Sequence, residues 1–321
     1  MVPPVLLDAL RLILGAGMLY LGADWLVKGA AGLGLAMHIA PGVVGATIVA
    51  YATSAPELTV SIAAALEGRS AIVLGNVLGS NIANLGLILG LTALIKPPRV
   101  EAGLIRRELP VLVSSTALPV FFLRDGVISR LEGLALLLGA FGFSGWMLFT
   151  QRTASQMNAG APDAAAPVAA TVSRKIALAT LAIVGLVTLA GGGKVFVDGA
   201  VAVARAGGMS ERVVGLTIVA IGTSLPELAA SLVAVARGHS ALAVGNVLGS
   251  NILNVLLILG ATALVHPVEG SLAAVRLDFL ALGALTLIGA IALRTGRVVR
   301  RWEGAILLGG YATFLIALLV D

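Results

Sequence analysis

Two blocks of the 321-residue chain carry the residue types that bind small cations. The first reads Gly45-Ala-Thr-Ile-Val-Ala-Tyr-Ala-Thr53-Ser54-Ala-Pro56-Glu57, and its partner reads Gly215-Leu-Thr-Ile-Val-Ala-Ile-Gly-Thr223-Ser224-Leu-Pro226-Glu227. On a helix, Thr53 and Ser54 lie four and three residues before Glu57, so both hydroxyls are expected on the carboxylate's face. Pro56 and Pro226 cannot donate to the carbonyls four residues back, Ala52 and Gly222, which predicts freed backbone oxygens beside each acid. A second block follows in each half: Gly75-Asn-Val-Leu-Gly-Ser80-Asn81-Ile-Ala-Asn84 and Gly245-Asn-Val-Leu-Gly-Ser250-Asn251-Ile-Leu-Asn254. Asn76, Ser80 and Asn84 are successive i, i+4 neighbours, and the flanking glycines let two backbones approach closely. Hydroxyl, amide, carbonyl and carboxylate oxygens without nitrogen or sulfur ligands suit hard cations such as Ca²⁺ and Na⁺. The expectation is one site per repeat interface.

The elements that must position these oxygens are membrane helices. The chain is 59% hydrophobic and 12% charged with a mean hydropathy of +1.05, whereas soluble domains are about 45–50% apolar and about 25% charged. Ten apolar segments stand between polar punctuation: about 4 to 26, 42 to 66, 70 to 95, 103 to 123, 128 to 150, 174 to 204, 212 to 236, 240 to 265, 272 to 293 and 302 to 320. At about 20 residues per crossing these predict an all-α polytopic membrane protein with ten transmembrane helices. The first run lacks a basic n-region and a small-residue cleavage site, so it reads as a retained span. The absence of cysteine excludes disulfides, a thiol nucleophile and thiolate metal sites. The net charge of +5 sits in short clusters between apolar runs, which reads as loop topology in a lipid bilayer and not as nucleic-acid binding.

An even span count puts both termini on one side. With the termini extracytoplasmic, the inner loops collect Lys28, Lys96, Arg99, Arg106, Arg107, Arg152, Arg174, Lys175, Arg237, Arg294, Arg297, Arg300 and Arg301, 13 of the 21 basic residues. Arg11, Arg69, Arg124, Arg130, Lys194, Arg205, Arg212 and Arg276 remain for the outer side, so the cytoplasmic excess favours that orientation in the cell's inner membrane.

The polar, Pro/Ala-rich stretch 151–173 reads as a cytoplasmic linker between two five-helix halves, 1–150 and 174–321. Laying the second half over the first pairs Gly45–Gly90 with Gly215–Gly260 without a gap, and 28 of those 46 positions are identical. An odd number of spans separates equivalent positions, so the halves are expected as inverted repeats, the architecture of secondary transporters. Duplication kept for packing alone would preserve small and apolar residues such as Gly75-x-x-x-Gly79 and Gly245-x-x-x-Gly249. These halves also share Thr53/Thr223, Glu57/Glu227, Ser80/Ser250, Asn81/Asn251 and Asn84/Asn254, which are costly in a membrane. The two glutamates could serve as protonated helix glue, but no Lys or Arg is equally central, which argues for a cationic ligand. Asp24 with Lys28 and Lys194 with Asp198 are i, i+4 pairs at equivalent positions with the signs swapped, read as self-neutralised structural pairs. No catalytic constellation lies at membrane depth, so neither an enzyme nor a resident cofactor is expected.

At the two blocks the chain resembles the cation/Ca²⁺ antiporter superfamily, specifically prokaryotic sodium/calcium exchanger-like proteins. Their paired repeats carry Thr-Ser-x-Pro-Glu and Gly-Asn-x-x-Gly-Ser-Asn-x-x-Asn. The resemblance covers both repeats, the ten-span layout and the linker. It implies ligands from Thr53, Ser54, Glu57, Ser80 and Asn84, from Thr223, Ser224, Glu227, Ser250 and Asn254, and from the carbonyls of Ala50 and Ala220. Several members of the family carry an acid where this chain has Asn254. The linker lacks the large regulatory Ca²⁺-binding insertion of animal exchangers. The implied activity is Na⁺-driven Ca²⁺ transport by alternating access, with Ca²⁺ and Na⁺ as substrates. The glycine-rich spans 1 and 6 (Gly15, Gly17, Gly22; Gly191, Gly192, Gly193) read either as a sliding gate or as close packing alone. H⁺/Ca²⁺ exchange on the same glutamates is the nearest alternative, and a Ca²⁺-permeable channel a more distant one.

Overall fold

The computed structural model describes residues 4–158, 171–209 and 220–320. The helices are α1 (Pro4–Ala36), α2 (Pro41–Thr53), α3 (Ala55–Leu66), α4 (Ser70–Ile95), α5 (Ala102–Phe122), α6 (Arg130–Asn158), α7 (Val172–Ala206), the single turn α8 (Ala220–Gly222), α9 (Leu225–Ala236), α10 (Ser240–Val265), α11 (Arg276–Arg294) and α12 (Arg301–Val320). Seven are long and apolar enough to cross a membrane, and α2 with α3, bent by 44°, makes an eighth. In a bilayer every backbone polar group must be satisfied within the span, which is why such apolar runs become helices. Large side chains such as Ile13, Phe141, Phe149 and Leu287 are exposed around the outside, as a lipid-facing surface requires. The chain is a multi-pass helical membrane protein.

Most sequence segments coincide with helices, and three differ. The first helix runs on to Ala36, past the expected end at 26. The second is broken at Ser54. The seventh begins in 210–219, outside the described residues, as does most of the linker (159–170). Helix starts follow local chemistry: at α6, the Ser129 N–H and hydroxyl both donate to Glu132 Oε2 at 2.8 Å, while the Glu132 N–H donates to Ser129 Oγ at 3.3 Å. At α7, Thr171 Oγ1 accepts from the Arg174 N–H at 3.3 Å. A two-stranded antiparallel ladder, β1 (Val127–Ile128) with β2 (Val268–Glu269), ties the two halves beside the core.

α4 and α10 form the centre: 72% and 83% of their apolar windows are buried, against 28% for α6, α7 and α12. To one side, α1 and α7 pack antiparallel along a glycine seam. Side-chain carbons built on Gly15, Gly22 and Gly29 would strike Phe196, Leu189 and Ala182. Each seven-residue advance along α1 matches a seven-residue retreat along α7. The equivalent positions of the second half, Gly185, Gly192 and Gly199, meet Leu26, Leu19 and Leu12 in return. The lack of side chains at this period lets the two backbones touch over most of their length.

Candidate functional site

Pro56 and Pro226 stand in the first turn of α3 and α9, where a missing N–H costs nothing. The residue at each break has the same backbone, φ −81° and ψ 0° at Ser54, φ −88° and ψ 5° at Ser224. Glu57 and Glu227 therefore enter at equivalent points in the first turn of a new helix. The carbonyls around the first break are less free than the prolines predict. The N–H groups at the Ser54 cap bond the carbonyls of Ala50 and Ala52, the former at 3.0 Å. In the second half the Ser224 N–H goes to the Ile221 carbonyl at 3.1 Å.

Both carboxylates are buried, each 1% exposed, and no ion pair reaches either among the described residues. Thr53, Ser54, Ser80, Asn84, Ser224, Ser250, Asn254 and Ala50 are buried with them, and Thr223 lines the clefts on either side. Ala220 opens the single turn α8. The expected pairing of each hydroxyl with its own half's carboxylate is corrected. The Ser54 hydroxyl donates to Glu227 Oε1 at 3.5 Å, and the Thr53 hydroxyl donates to Asn246 Oδ1 at 3.3 Å. The break at Ser54 interrupts the helical spacing, so its side chain leaves the face shared with Glu57. These contacts, with the Asn254–Asn81 bond, cross between the two halves.

Six buried oxygens from this set have no hydrogen-bond partner: Glu57 Oε2, Asn84 Oδ1, Ser224 Oγ, Glu227 Oε2, Ser250 Oγ and Asn254 Oδ1. Buried polar atoms are nearly always paired, and an unpaired carboxylate oxygen is costly. Their concentration here fits an acceptor cage for a cation. Asn84 and Asn254 also open the π-helical turns Asn84–Leu89 and Asn254–Leu259, and a third π turn, Gly45–Val49, precedes Ala50. Wide turns of this kind re-aim side chains and recur at functional sites.

Sequence reasoning missed the struts. The Asn76 amide donates to the Glu57 carbonyl at 3.1 Å and to Ser61 Oγ at 2.8 Å, tying α3 to α4. Asn246 repeats this on Ser231 at 3.1 Å. Ser61 and Ser231 each follow a glutamate by four residues, the only signal available. At the central crossing, the Asn81 amide donates to the Asn251 carbonyl at 3.2 Å and the Asn254 amide to Asn81 Oδ1 at 2.9 Å. Glu108 was also missed. It is fully buried beside a cavity of about 110 Å³ that Glu101 and Gly42 also line, and neither carboxylate oxygen has a partner.

Unpaired acids and oriented neutral oxygens inside a multi-pass helical protein define a membrane protein that handles cations. The chain belongs to the sodium/calcium exchanger protein family, whose sequence profile matches residues 8–149 and 177–320, one stretch in each half. It is 39% identical over 315 residues to the putative antiporter CaxA of Alkalimonas amylolytica, covering 95% of this chain and 96% of that protein. It is 33% identical to the sodium/calcium exchanger MaX1 of Methanosarcina acetivorans, covering 98% and 99%. Its fold matches the solved structure of the sodium-calcium exchanger NCX_Mj with a TM-score of 0.82 and 30% identity, over 98% of this chain and 99% of that one.

Proposed function

We propose that the protein exchanges Na⁺ for Ca²⁺ across the cell's inner membrane by alternating access. The ion ligands are Thr53, Ser54, Glu57, Ser80 and Asn84, Thr223, Ser224, Glu227, Ser250 and Asn254, with the carbonyls of Ala50 and Ala220. The observation that carries this reading is that both glutamates keep a buried carboxylate oxygen without a partner, together with four partnerless buried hydroxyl and amide oxygens from the same two blocks. Ten spans form two inverted five-helix repeats, 1–150 and 174–321, joined by the cytoplasmic linker 151–173, with both termini extracytoplasmic. The antiparallel α1/α7 seam supports the inversion, because these helices are equivalent in the repeat and run in opposite directions.

Obligatory exchange follows from charge. Glu57 and Glu227 give the empty site −2, and carrying it through the membrane centre would cost roughly 2.5–3.5 kcal/mol per acid even on a lenient scale. Bound Ca²⁺ or two Na⁺ neutralise it, and a third Na⁺ leaves +1. With Asn254 neutral, electrogenic exchange requires that third ion. Hydroxyl and amide oxygens suit Na⁺, whereas proton carriage needs the carboxylates alone.

The test is Ca²⁺ flux in proteoliposomes. Uptake is expected only with an outward Na⁺ gradient, and faster when K⁺ and valinomycin set a potential that favours export of the extra positive charge. Uptake without any counter-ion would indicate a channel, and uptake driven by a pH gradient in Na⁺-free medium would indicate H⁺ exchange. Voltage-independent flux would mean two monovalent ions per Ca²⁺.

A further inference from the structure

Asp24, Lys28 and Arg237 form a charge triad whose equivalents in the other half are Lys194, Asp198 and Glu67, with every sign reversed. The structure treats the two triads differently. Asp24 on α1 accepts from Lys28 at 2.7 Å and forms an ion pair at 2.6 Å with Arg237, just past the end of α9, and its side chain is only 7% exposed. Beneath this cluster α1 and α9 are in contact: Ala23, Val27, Ala230 and Ala234 share one buried cluster, each 0% exposed. In the opposite triad Lys194 pairs, among the described residues, only with its helix neighbour Asp198 at 3.2 Å, and their side chains are 79% and 54% exposed. Glu67 pairs with Arg69 at 3.2 Å, and no ion pair joins it to Lys194.

Lys194 and Asp198 line a cleft of about 630 Å³ that reaches Thr223. Its walls include Gly193 and Val197 on α7 and Val60 on α3. Those are the equivalents of Ala23, Val27 and Ala230, the residues in contact on the other side. The cleft is thus the missing counterpart of the α1/α9 contact. The triads also point toward different ends of the molecule. By the seam's register Asp24 is level with residue 187 and Lys28 with residue 183, so Lys194 lies seven residues, roughly 10 Å, and Asp198 15 residues, roughly 22 Å, further along it.

We propose that these triads are two alternating ionic latches of the exchange cycle. In the conformation described here the Asp24–Arg237 latch is shut, and in the opposite one it parts while Lys194 closes on Glu67. The sign reversal keeps the latches from mispairing when α1 and α7 move together. This rests on the alternating-access reading above, and its test separates the two.

The chain has no cysteine, so single reporters can be placed without removing native thiols. Val60→Cys reports the open cleft and Ala230→Cys the closed contact, read by a membrane-impermeant maleimide applied from each side of proteoliposomes. Arg237→Gln is expected to lower labelling of Val60→Cys and raise that of Ala230→Cys on the order of tenfold, and Glu67→Gln to act in the opposite sense. The charge swap Asp24→Arg with Arg237→Asp should restore the native pattern, which loss of packing alone would not do. Lys194→Cys with Glu67→Cys should form a disulfide that stops Ca²⁺ flux until reduced. Normal flux with unchanged labelling in both Gln variants, or a Cys pair that never crosslinks in a transporting protein, would overturn the latches and leave antiport standing. Absence of Na⁺-dependent flux in the unmodified protein would instead overturn antiport.

Discussion

Thr53-Ser54-Ala-Pro56-Glu57 and Thr223-Ser224-Leu-Pro226-Glu227 are nearly the same five residues, yet their hydrogen bonds differ. Ser54 donates across to Glu227, whereas Ser224 Oγ is buried with no partner. Thr53 is buried against Asn246, whereas Thr223 opens onto a cleft. Gly245 sits where a side-chain carbon would strike the Gly42 carbonyl oxygen, while nothing described comes within 4 Å of that point on its equivalent, Gly75. Identical local sequence therefore does not dictate identical surroundings. Under the alternating access proposed above, one site with two doors must break its internal symmetry in any single conformation, and the differences would mark which door is shut.

Glu57→Gln and Glu227→Gln bound the comparison, because here the halves should agree. Each removes half of the site's charge without changing its shape, and Ca²⁺ flux in proteoliposomes should fall at least about 100-fold in both. Near-normal flux from either would sink the site. The glycines should disagree. Gly245→Ala must displace the α2 backbone at Gly42 and should destabilise the protein by about 2 kcal/mol or more, seen as a lower Tm in detergent. Gly75→Ala should be neutral or stabilising by up to about 1 kcal/mol, as for glycine in an open helix interior. Equal shifts would mean that the packing difference between the halves is not maintained. The serines sharpen the contrast at the smallest scale. Ser224→Ala removes an oxygen with no protein partner and should raise the apparent KM for Ca²⁺ about fivefold, the worth of roughly one hydrogen bond. Ser54→Ala, whose hydroxyl is shared with Glu227, should raise it about twofold.

Much of the site was legible because oxygen-bearing residues in an apolar chain are conspicuous, and because the repeat marks each of them twice. Glu57, Asn84 and their partners needed no tertiary information. Ser54 did, since the break before Pro56 turns its hydroxyl toward the other half, and helical spacing holds only within one unbroken helix. The π turns at Asn84 and Asn254 were invisible for a related reason: one extra residue per turn leaves the apolar pattern almost unchanged. Asp24–Lys28 was readable as an i, i+4 pair, and it forms. Arg237, which completes the triad, belongs to the other half of the sequence, and only the fold brings it near. Glu108, next to Arg106 and Arg107 in the sequence, carried no signal of its own, and only its place on α5 carries it inside.

The seam between α1 and α7 makes the two helices one stiff beam. Their backbones touch at Gly15, Gly22 and Gly29 and again at Gly185, Gly192 and Gly199, leaving no layer of side chains to shear between them. A beam of this kind cannot rise at one end without travelling at the other. Under the alternating access proposed above, opening one mouth and sealing the opposite one would then be a single displacement, with leak suppressed by mechanics even when no message passes through the ion site.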